Sequence, residues 1–126
     1  MPDPLNGRGR ALDIGCGSGK STSTLIDMGY EVSGTDISRE AVSICTDRFG
    51  SGMFLEGSVL SLPYPDSSFD YAVAVHVLEH ITDDDMQRAV SEIRRILKPG
   101  GYLFIRDFAP GDMREGSRAD SDIVYI

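Results

Sequence analysis

The feature that most constrains this sequence is a glycine-rich loop directly after a short apolar segment. Residues 10–14 (RALDI) are predicted to form a strand, and Gly15, Gly17 and Gly19 alternate immediately after it. Glycine has no Cβ, so it lets the backbone turn tightly and approach a ligand closely. In open α/β sheets, ligands bind beyond the carboxyl ends of the strands. A plain strand-to-helix turn needs no such run of glycines, so the loop predicts a ligand site.

Strands and helices alternate along the rest of the sequence. The further predicted strands cover residues 30–35 (with Asp36 at the end), 53–55, 69–77 and 102–105. Three helices are predicted. The first covers about residues 20–28 and is closed by Gly29. The second is capped by Ser38 and ended by Gly50, and the third is capped by Thr82 and stopped by residues 98–101. This β-α-β-α-β-α-β order predicts one α/β domain over residues 1–126. We expect a Rossmann-like, doubly wound and mainly parallel sheet in a three-layer αβα arrangement.

Composition narrows the class of partner. The 126 residues carry a formal net charge of −8, which argues against unaided binding to nucleic acid or to an anionic membrane. No apolar stretch approaches the length of a membrane span, and residues 1–4 lack the apolar run of a signal peptide. Cys16 and Cys45 fall in different predicted elements without metal-ligand spacing. We therefore expect a reduced, cytoplasmic protein.

Three classes of ligand compete for the glycine loop. A dinucleotide fingerprint requires a third glycine where Lys20 stands. A Walker A loop requires four residues before Gly-Lys-Ser, but only three separate Gly15 from Gly19, and Ile14 occupies the expected glycine position. The third class, S-adenosylmethionine, carries no phosphate.

Two acidic residues bear on this choice. Asp13 lies beside the loop, where a carboxylate would repel a pyrophosphate and suit a ligand with ammonium and sulfonium centres. Asp36 ends the second predicted strand, 19 residues after Gly17, where it can accept hydrogen bonds from ribose hydroxyls. NAD would use such an acid too, so Asp36 supports adenosine without separating the two cofactors.

Five motifs in order give a family resemblance. They are residues 12–19 (LDIGCGSG), 34–38 (GTDIS), 62–70 (LPYPDSSFD), 76–80 (HVLEH) and 97–101 (LKPGG). Over these motifs the sequence resembles the class I S-adenosylmethionine-dependent methyltransferases, particularly the small type 11 members. A weaker resemblance, to the tRNA 3-methylcytidine methyltransferases, covers residues 103–108 (LFIRDF) and 111–113 (GDM).

The resemblance implies S-adenosyl-L-methionine as cofactor and assigns residues to it. Asp13 and the glycine loop would serve the methionine portion, Asp36 the ribose, and Ile37 the adenine face. Ser58 and Val59 would border the adenine, with Ser58 standing where the family usually has Asp. The complete cofactor-binding set is Asp13, Gly15, Cys16, Gly17, Gly19, Asp36, Ile37, Ser58, Val59 and Val75.

His76, Glu79 and His80 are the candidates on the side of the methyl acceptor. A histidine there could orient or deprotonate an acceptor, or these side chains could simply pack against the following turn. The same residues spell H-x-x-E-H, but His76 belongs to a strand end and no helix is signalled before Thr82, so we predict no metal. Methyl transfer by in-line displacement depends chiefly on proximity and orientation, and the sequence names no catalytic base.

Family members usually have a helical cap before the first strand and a β-hairpin after the fifth. Only nine residues precede the first strand here, and the polar residues 109–118 separate the fifth strand from a possible further strand at 123–126. We therefore expect a truncated or minimal domain, closed by a partner subunit or in a homodimer. The leading hypothesis is methyl transfer to an unidentified small-molecule, RNA or protein acceptor. The alternatives are a non-catalytic cofactor-binding or scaffold subunit and, remotely, a P-loop nucleotide hydrolase.

Overall fold

The computed structural model describes residues 1–51, 53–108 and 119–125. The strands are β1 (Arg10–Ile14), β2 (Glu31–Asp36), β3 (Phe54–Glu56), β4 (Phe69–Val75), β5 (Leu97–Phe108) and β6 (Ala119–Tyr125). The helices are α1 (Lys20–Met28), α2 (Arg39–Phe49) and α3 (Asp83–Ile96), with a 3₁₀ turn at Leu78–His80.

The strands form one six-stranded sheet in the order β3-β2-β1-β4-β5-β6. The first five strands are parallel, and β6 pairs antiparallel with β5. The predicted Rossmann-like, mainly parallel sheet is therefore confirmed. The strand order reverses between β1 and β4, and the carboxyl ends of these two strands are where such a sheet opens a crevice for a ligand.

The two faces of the sheet bury separate apolar clusters. On the α3 face, Leu12 and Ile14 of β1 pack in one cluster with Ile93 of α3. On the α1 face, Ala11 packs in a second cluster with Leu25 of α1. Because side chains alternate along a strand, Asp13 points to the α1 face, where it bonds Thr22. The core thus places one carboxyl group beneath the first helix.

The helix boundaries follow the predicted signals. Gly29 ends α1 in a left-handed conformation with φ 110°, and its N–H bonds the carbonyls of the last turn. Ser38 caps α2, since its side chain accepts a hydrogen bond from the N–H of Ala41. Thr82 holds the capping position of α3, but its side chain makes no capping hydrogen bond. The acidic first turn and the basic last turn of α3 both complement the helix dipole.

Several strand boundaries differ from those predicted. β4 ends at Val75 rather than at residue 77, because His76 takes a left-handed φ of 59° that breaks the strand. β5 begins at Leu97, before the predicted start at residue 102, and a bulge offsets its pairing with β4. β6 covers Ala119–Tyr125, earlier than the predicted 123–126. The predicted loop at 109–118, residue 126 and the weaker family motif at 111–113 lie outside the described residues.

Within the described ranges, no helix is long and apolar enough to cross a membrane.

Candidate ligand site at the carboxyl end of the sheet

The glycine loop is held to the end of β2 by its own amide groups. The N–H groups of Gly15 and Cys16 both donate to the carbonyl of Thr35, at 2.7 and 3.0 Å. The N–H of Gly17 donates to Asp36 Oδ2 at 2.9 Å, and that of Gly19 donates to the Cys16 carbonyl at 2.8 Å. These four amides are therefore bonded inside the protein. A phosphate-binding loop instead points its N–H groups at the ligand, so the geometry disfavours the P-loop alternative.

Gly15 is required by both its backbone and its surroundings. Its φ is 76°, in the left-handed region that favours glycine. A Cβ at this position would lie 2.4 Å from Cγ2 of Val77. The missing side chain thus allows the loop and the segment after β4 to approach each other.

Asp36 links the loop to the start of α2. Its Oδ2 accepts the Gly17 N–H, and its Oδ1 accepts the N–H of Ser38, also at 2.9 Å. A carboxylate oxygen has two lone pairs, so each oxygen can accept a second hydrogen bond from a ligand. The carboxylate is consequently fixed in direction and still chemically able to bind hydroxyl groups.

Asp13 is a buried carboxyl group with an incomplete set of hydrogen bonds. The residue is 1% exposed, and its Oδ2 accepts a hydrogen bond of 2.7 Å from Thr22 Oγ1. Among the described residues, Oδ1 is buried and has no hydrogen-bond partner. Burial raises the pKa of Asp13 from 3.8 to about 7; the Thr22 hydroxyl opposes that rise, and the charge of Asp36 adds to it. Oδ1 is therefore an unsatisfied buried acceptor among the described residues.

A cavity of about 350 Å³ opens at the carboxyl ends of β1, β2 and β4. Its lining residues are Ile14, Gly15, Thr35, Asp36, Ile37, Gly57, Ser58, Val59, Val75, His76, Val77, His80 and Ile81. The wall is mostly apolar, with Asp36 as its carboxylate and no Lys or Arg among the described lining residues. Its size lies in the ~300–1,000 Å³ range of small-molecule sites. Such a wall suits a ligand with an apolar or aromatic body and hydroxyl groups.

The structure brings six of the ten predicted cofactor residues to the cavity wall. These are Gly15, Asp36, Ile37, Ser58, Val59 and Val75. Ile37 is 75% exposed and so presents a large apolar side chain at the opening. Asp13, Gly17 and Gly19 lie in or beneath the loop and are not among the lining residues of the described chain.

Cys16 occupies a different environment from the predicted one. Its side chain is buried in a small cluster with Cys45 and Phe54, away from the cavity. Burial and the neighbouring Cys45 thiol raise the pKa of Cys16 above its usual range. The two cysteines were predicted in separate elements, and the fold packs them together. Cys16 contributes to the glycine loop through the hydrogen bonds of its backbone N–H and carbonyl groups.

Sequence analysis missed the role of Thr35 and the apolar residues after β4. The Thr35 carbonyl accepts hydrogen bonds from two N–H groups of the glycine loop, and the Thr35 hydroxyl Oγ1 donates to the Leu55 carbonyl at 2.7 Å. In the sequence, the one indication that Thr35 lies at the site is its position next to Asp36. Val77 and Ile81 also line the cavity, although the sequence indicated only the polar residues of this segment as candidates.

The acceptor-side candidates form a connected group at the cavity edge. Nδ1 of His76 lies 3.0 Å from Oε1 of Glu79, and Oε2 of Glu79 lies 3.7 Å from Nε2 of His80. Both histidines line the cavity. His76 precedes the 3₁₀ turn rather than sharing a helical face with His80, so the zinc-protease arrangement is not formed. No group of three or more potential metal ligands occurs among the described residues.

Comparison with known proteins gives matches to enzymes that transfer methyl groups. Residues 12–105 match the family described as methyltransferase domain. The chain is 36% identical over 103 residues to the O-methyltransferase cnsE of Penicillium expansum, covering 76% of this chain and 37% of the relative. It is 33% identical over 128 residues to the 27-O-demethylrifamycin SV methyltransferase of Amycolatopsis mediterranei, covering 96% of this chain and 46% of the relative.

A solved structure gives the same result for the fold. The chain superposes on a SAM-dependent methyltransferase from Methanosarcina mazei with a TM-score of 0.76 and 34% identity, covering 85% of this chain and 56% of the other. The chain spans less than half the length of both curated relatives.

Proposed function

This chain belongs to the methyltransferase domain family, and we propose that it binds S-adenosyl-L-methionine in the cavity and transfers the methyl group to an acceptor oxygen. The observation that carries this proposal is the placement of Asp36. It stands on the cavity wall at the end of β2, with both carboxylate oxygens directed by backbone N–H groups. A carboxylate at this point accepts hydrogen bonds from the hydroxyls of a ribose.

The remaining cavity residues fit the other parts of this cofactor. Ile37 and Val59 provide apolar surfaces for a base, and Ser58 provides a hydroxyl at the same wall. When bound, S-adenosylmethionine supplies a methyl group activated by a positively charged sulfur. The chain's own contribution is then to hold the reacting groups close and aligned.

The acceptor would meet His76, Glu79 and His80. An alcohol or phenol must lose its proton as it is methylated, and we assign that proton to Nε2 of His76. Glu79 would hold His76 through Nδ1 and so fix the orientation of the ring. One of the two relatives is named as an O-methyltransferase and the other as the methyltransferase of an O-demethyl compound, which supports an oxygen acceptor.

Calorimetry tests the cofactor assignment. We expect the protein to bind S-adenosylhomocysteine and not ATP with Mg²⁺. The Asp36→Asn variant removes the charge and should bind S-adenosylhomocysteine about 10- to 100-fold more weakly, because hydrogen bonds to a charged group contribute about 1.5–3 kcal/mol. Asp47→Asn, on the exposed surface of α2, makes the same charge change and should bind like the wild type. Binding of ATP with Mg²⁺ and no binding of S-adenosylhomocysteine would overturn the assignment.

Release of labelled methyl groups to a panel of hydroxyl-bearing metabolites tests catalysis separately. The His76→Asn variant should keep its affinity for S-adenosylhomocysteine and lose turnover, because the asparagine amide cannot take the proton of the acceptor. An unchanged turnover in this variant would exclude His76 as the base. Binding without any methyl release in the wild type would favour the non-catalytic alternative.

A further inference from the structure

The cavity wall at residues 57–59 is followed by a segment without helix or strand. This segment, residues 60–66, is called here the wall segment, and it contains Pro63 and Pro65. Prolines remove backbone N–H donors, and the segment has no strand ladder to fix its conformation. Side chains of α3 make several hydrogen bonds to its main chain.

Arg95 of α3 makes the central contacts with the wall segment. Its Nη2 donates to the carbonyl of Leu62 and its Nη1 to the carbonyl of Tyr64, both at 2.8 Å. Nη1 also donates to Oδ1 of Asp66 at 2.9 Å. One planar guanidinium therefore spans five residues of the segment.

Two neighbours on α3 add to the attachment, and the Tyr64 hydroxyl donates separately to the Gly34 carbonyl at 2.6 Å. Glu92 accepts from Arg95 Nε at 2.9 Å, and its Oε1 accepts from the N–H of Leu62 at 2.7 Å. Arg88 donates from Nε to the carbonyl of Leu60 at 2.8 Å. The hydrogen bonds from Arg95 and Leu62 lower the pKa of Glu92, although its partial burial opposes this. Residues 88, 92 and 95 lie on one helical face, so α3 presents them together.

The wall segment is in contact with the cavity wall itself. A Cβ on Gly57 would lie 2.7 Å from Cδ of Pro63, so the proline ring packs directly on that glycine. On its other side, the Gly57 N–H bonds the Asp36 carbonyl at 2.9 Å. Ser58 Oγ accepts the Leu60 N–H at 3.0 Å. The wall is thus enclosed between the end of β2 and a segment that Arg95 holds.

We propose that Arg95 is a positioning residue for ligand binding, which fixes the wall segment so that Pro63 holds residues 57–59 at the cavity. Arg95 is not among the residues that line the cavity in the described chain. Its effect on a ligand therefore passes through the wall. The choice of S-adenosylhomocysteine as the probe rests on the proposed function. The claim that Arg95 fixes residues 57–59 does not depend on it.

The first test compares Arg95→Met with Arg94→Met. Arg94 is the adjacent, exposed arginine of α3 and makes a matched control. Dissociation constants for S-adenosylhomocysteine are measured by calorimetry well below the melting temperature of each variant. We expect about tenfold weaker binding for Arg95→Met and less than twofold change for Arg94→Met. Arg95→Lys keeps the charge without the planar fork and should lie between them. If Arg95→Met does not fold, Arg95→Lys replaces it in the comparison with Arg94→Met.

A double-mutant cycle tests the route through Pro63. Pro63→Ala should weaken binding like Arg95→Met, and the double variant should be no weaker than the stronger single variant, because both act on one wall. Additive effects would overturn this route. A lower melting temperature with an unchanged dissociation constant in both Arg95 variants would show that Arg95 only stabilises the fold, and would overturn the proposal.

Hydrogen–deuterium exchange gives a readout that needs no ligand. The Gly57 amide, which bonds the Asp36 carbonyl, should exchange faster in Arg95→Met and not in Arg94→Met. If the wild type fails to bind S-adenosylhomocysteine, the proposed function fails, and this exchange comparison still decides the role of Arg95. Equal exchange in the two variants would overturn that role.

Discussion

At the scale of single residues, the buried carboxyl group of Asp13 links stability to pH. Its pKa is raised by burial from 3.8 to about 7. Between these values the folded protein holds a proton that the unfolded chain has released, so this residue makes stability fall as pH rises from about 4 to about 7. One pKa unit corresponds to about 1.4 kcal/mol, which makes the whole loss on the order of 4 kcal/mol.

Replacing Asp13 by Asn should remove this dependence, because an amide does not titrate. The quantity to follow is the free energy of unfolding of Asp13→Asn minus that of the wild type. This difference should rise between pH 4 and pH 7 and stay level above pH 7. Urea denaturation at several pH values measures it. Asp27→Asn, on the exposed side of α1, is the matched control and should track the wild type. A constant difference across the range would show that Asp13 has an ordinary pKa.

The glycine loop allows a comparison between two left-handed residues. Gly15 and Gly17 both have positive φ, 76° and 53°. A Cβ on Gly15 would meet Val77, whereas one on Gly17 has nothing within 4 Å. Gly17→Ala should lose about 1–2 kcal/mol from backbone strain alone. Gly15→Ala should lose about 1–3 kcal/mol more from overpacking, and should weaken ligand binding by displacing Val77 from the wall. Equal losses in urea denaturation would contradict the steric argument.

Single residues also show where sequence reasoning succeeds and where it stops. Asp36 and Val75 reach the cavity because both end parallel strands, and parallel strands end at one edge of the sheet. The contact between Cys16 and Cys45 could not be predicted, since a long-range pairing of two small apolar side chains leaves no local pattern. The left-handed His76 was equally hidden, because an apolar strand pattern carries no signal for a single unusual φ.

At the scale of elements, the two predicted caps are different in strength. Ser38 Oγ accepts the Ala41 N–H at 3.2 Å, whereas the side chain of Thr82 makes no capping hydrogen bond. Ser38→Ala should therefore cost about 1 kcal/mol of stability. Thr82→Ala should cost markedly less, because the acidic first turn of α3 already complements the helix dipole. Chemical denaturation of the two variants measures the contrast, and similar losses would refute it.

Elements with a strong local pattern were predicted well, whereas a strand without such a pattern was predicted only in part. α1 and α2 follow their capping and glycine signals. β6 begins at Ala119, among polar residues that have no strand pattern of their own, because its backbone pairs with β5. Strand pairing uses main-chain hydrogen bonds, so a neighbouring strand can impose structure that side-chain periodicity does not encode.

At the scale of the whole molecule, the cavity joins the two halves of the sheet. Asp36 ends β2 on one side of the switch point, and Val75 ends β4 on the other. A ligand that contacts both halves binds the folded state alone, so it must stabilise the molecule as one unit. S-adenosylhomocysteine at about 100 times its dissociation constant should add about 2.7 kcal/mol.

In a domain of this size, that stabilisation should raise the melting temperature by roughly 10 °C. Differential scanning calorimetry should show one transition that moves as a whole. At the same ligand concentration, Asp36→Asn should lose about half of the shift or more, since 10- to 100-fold weaker binding leaves only about 1.4 to 0.4 kcal/mol of stabilisation. A shift confined to part of a split transition would mean that the two halves of the sheet unfold separately, and that the ligand contacts only one of them.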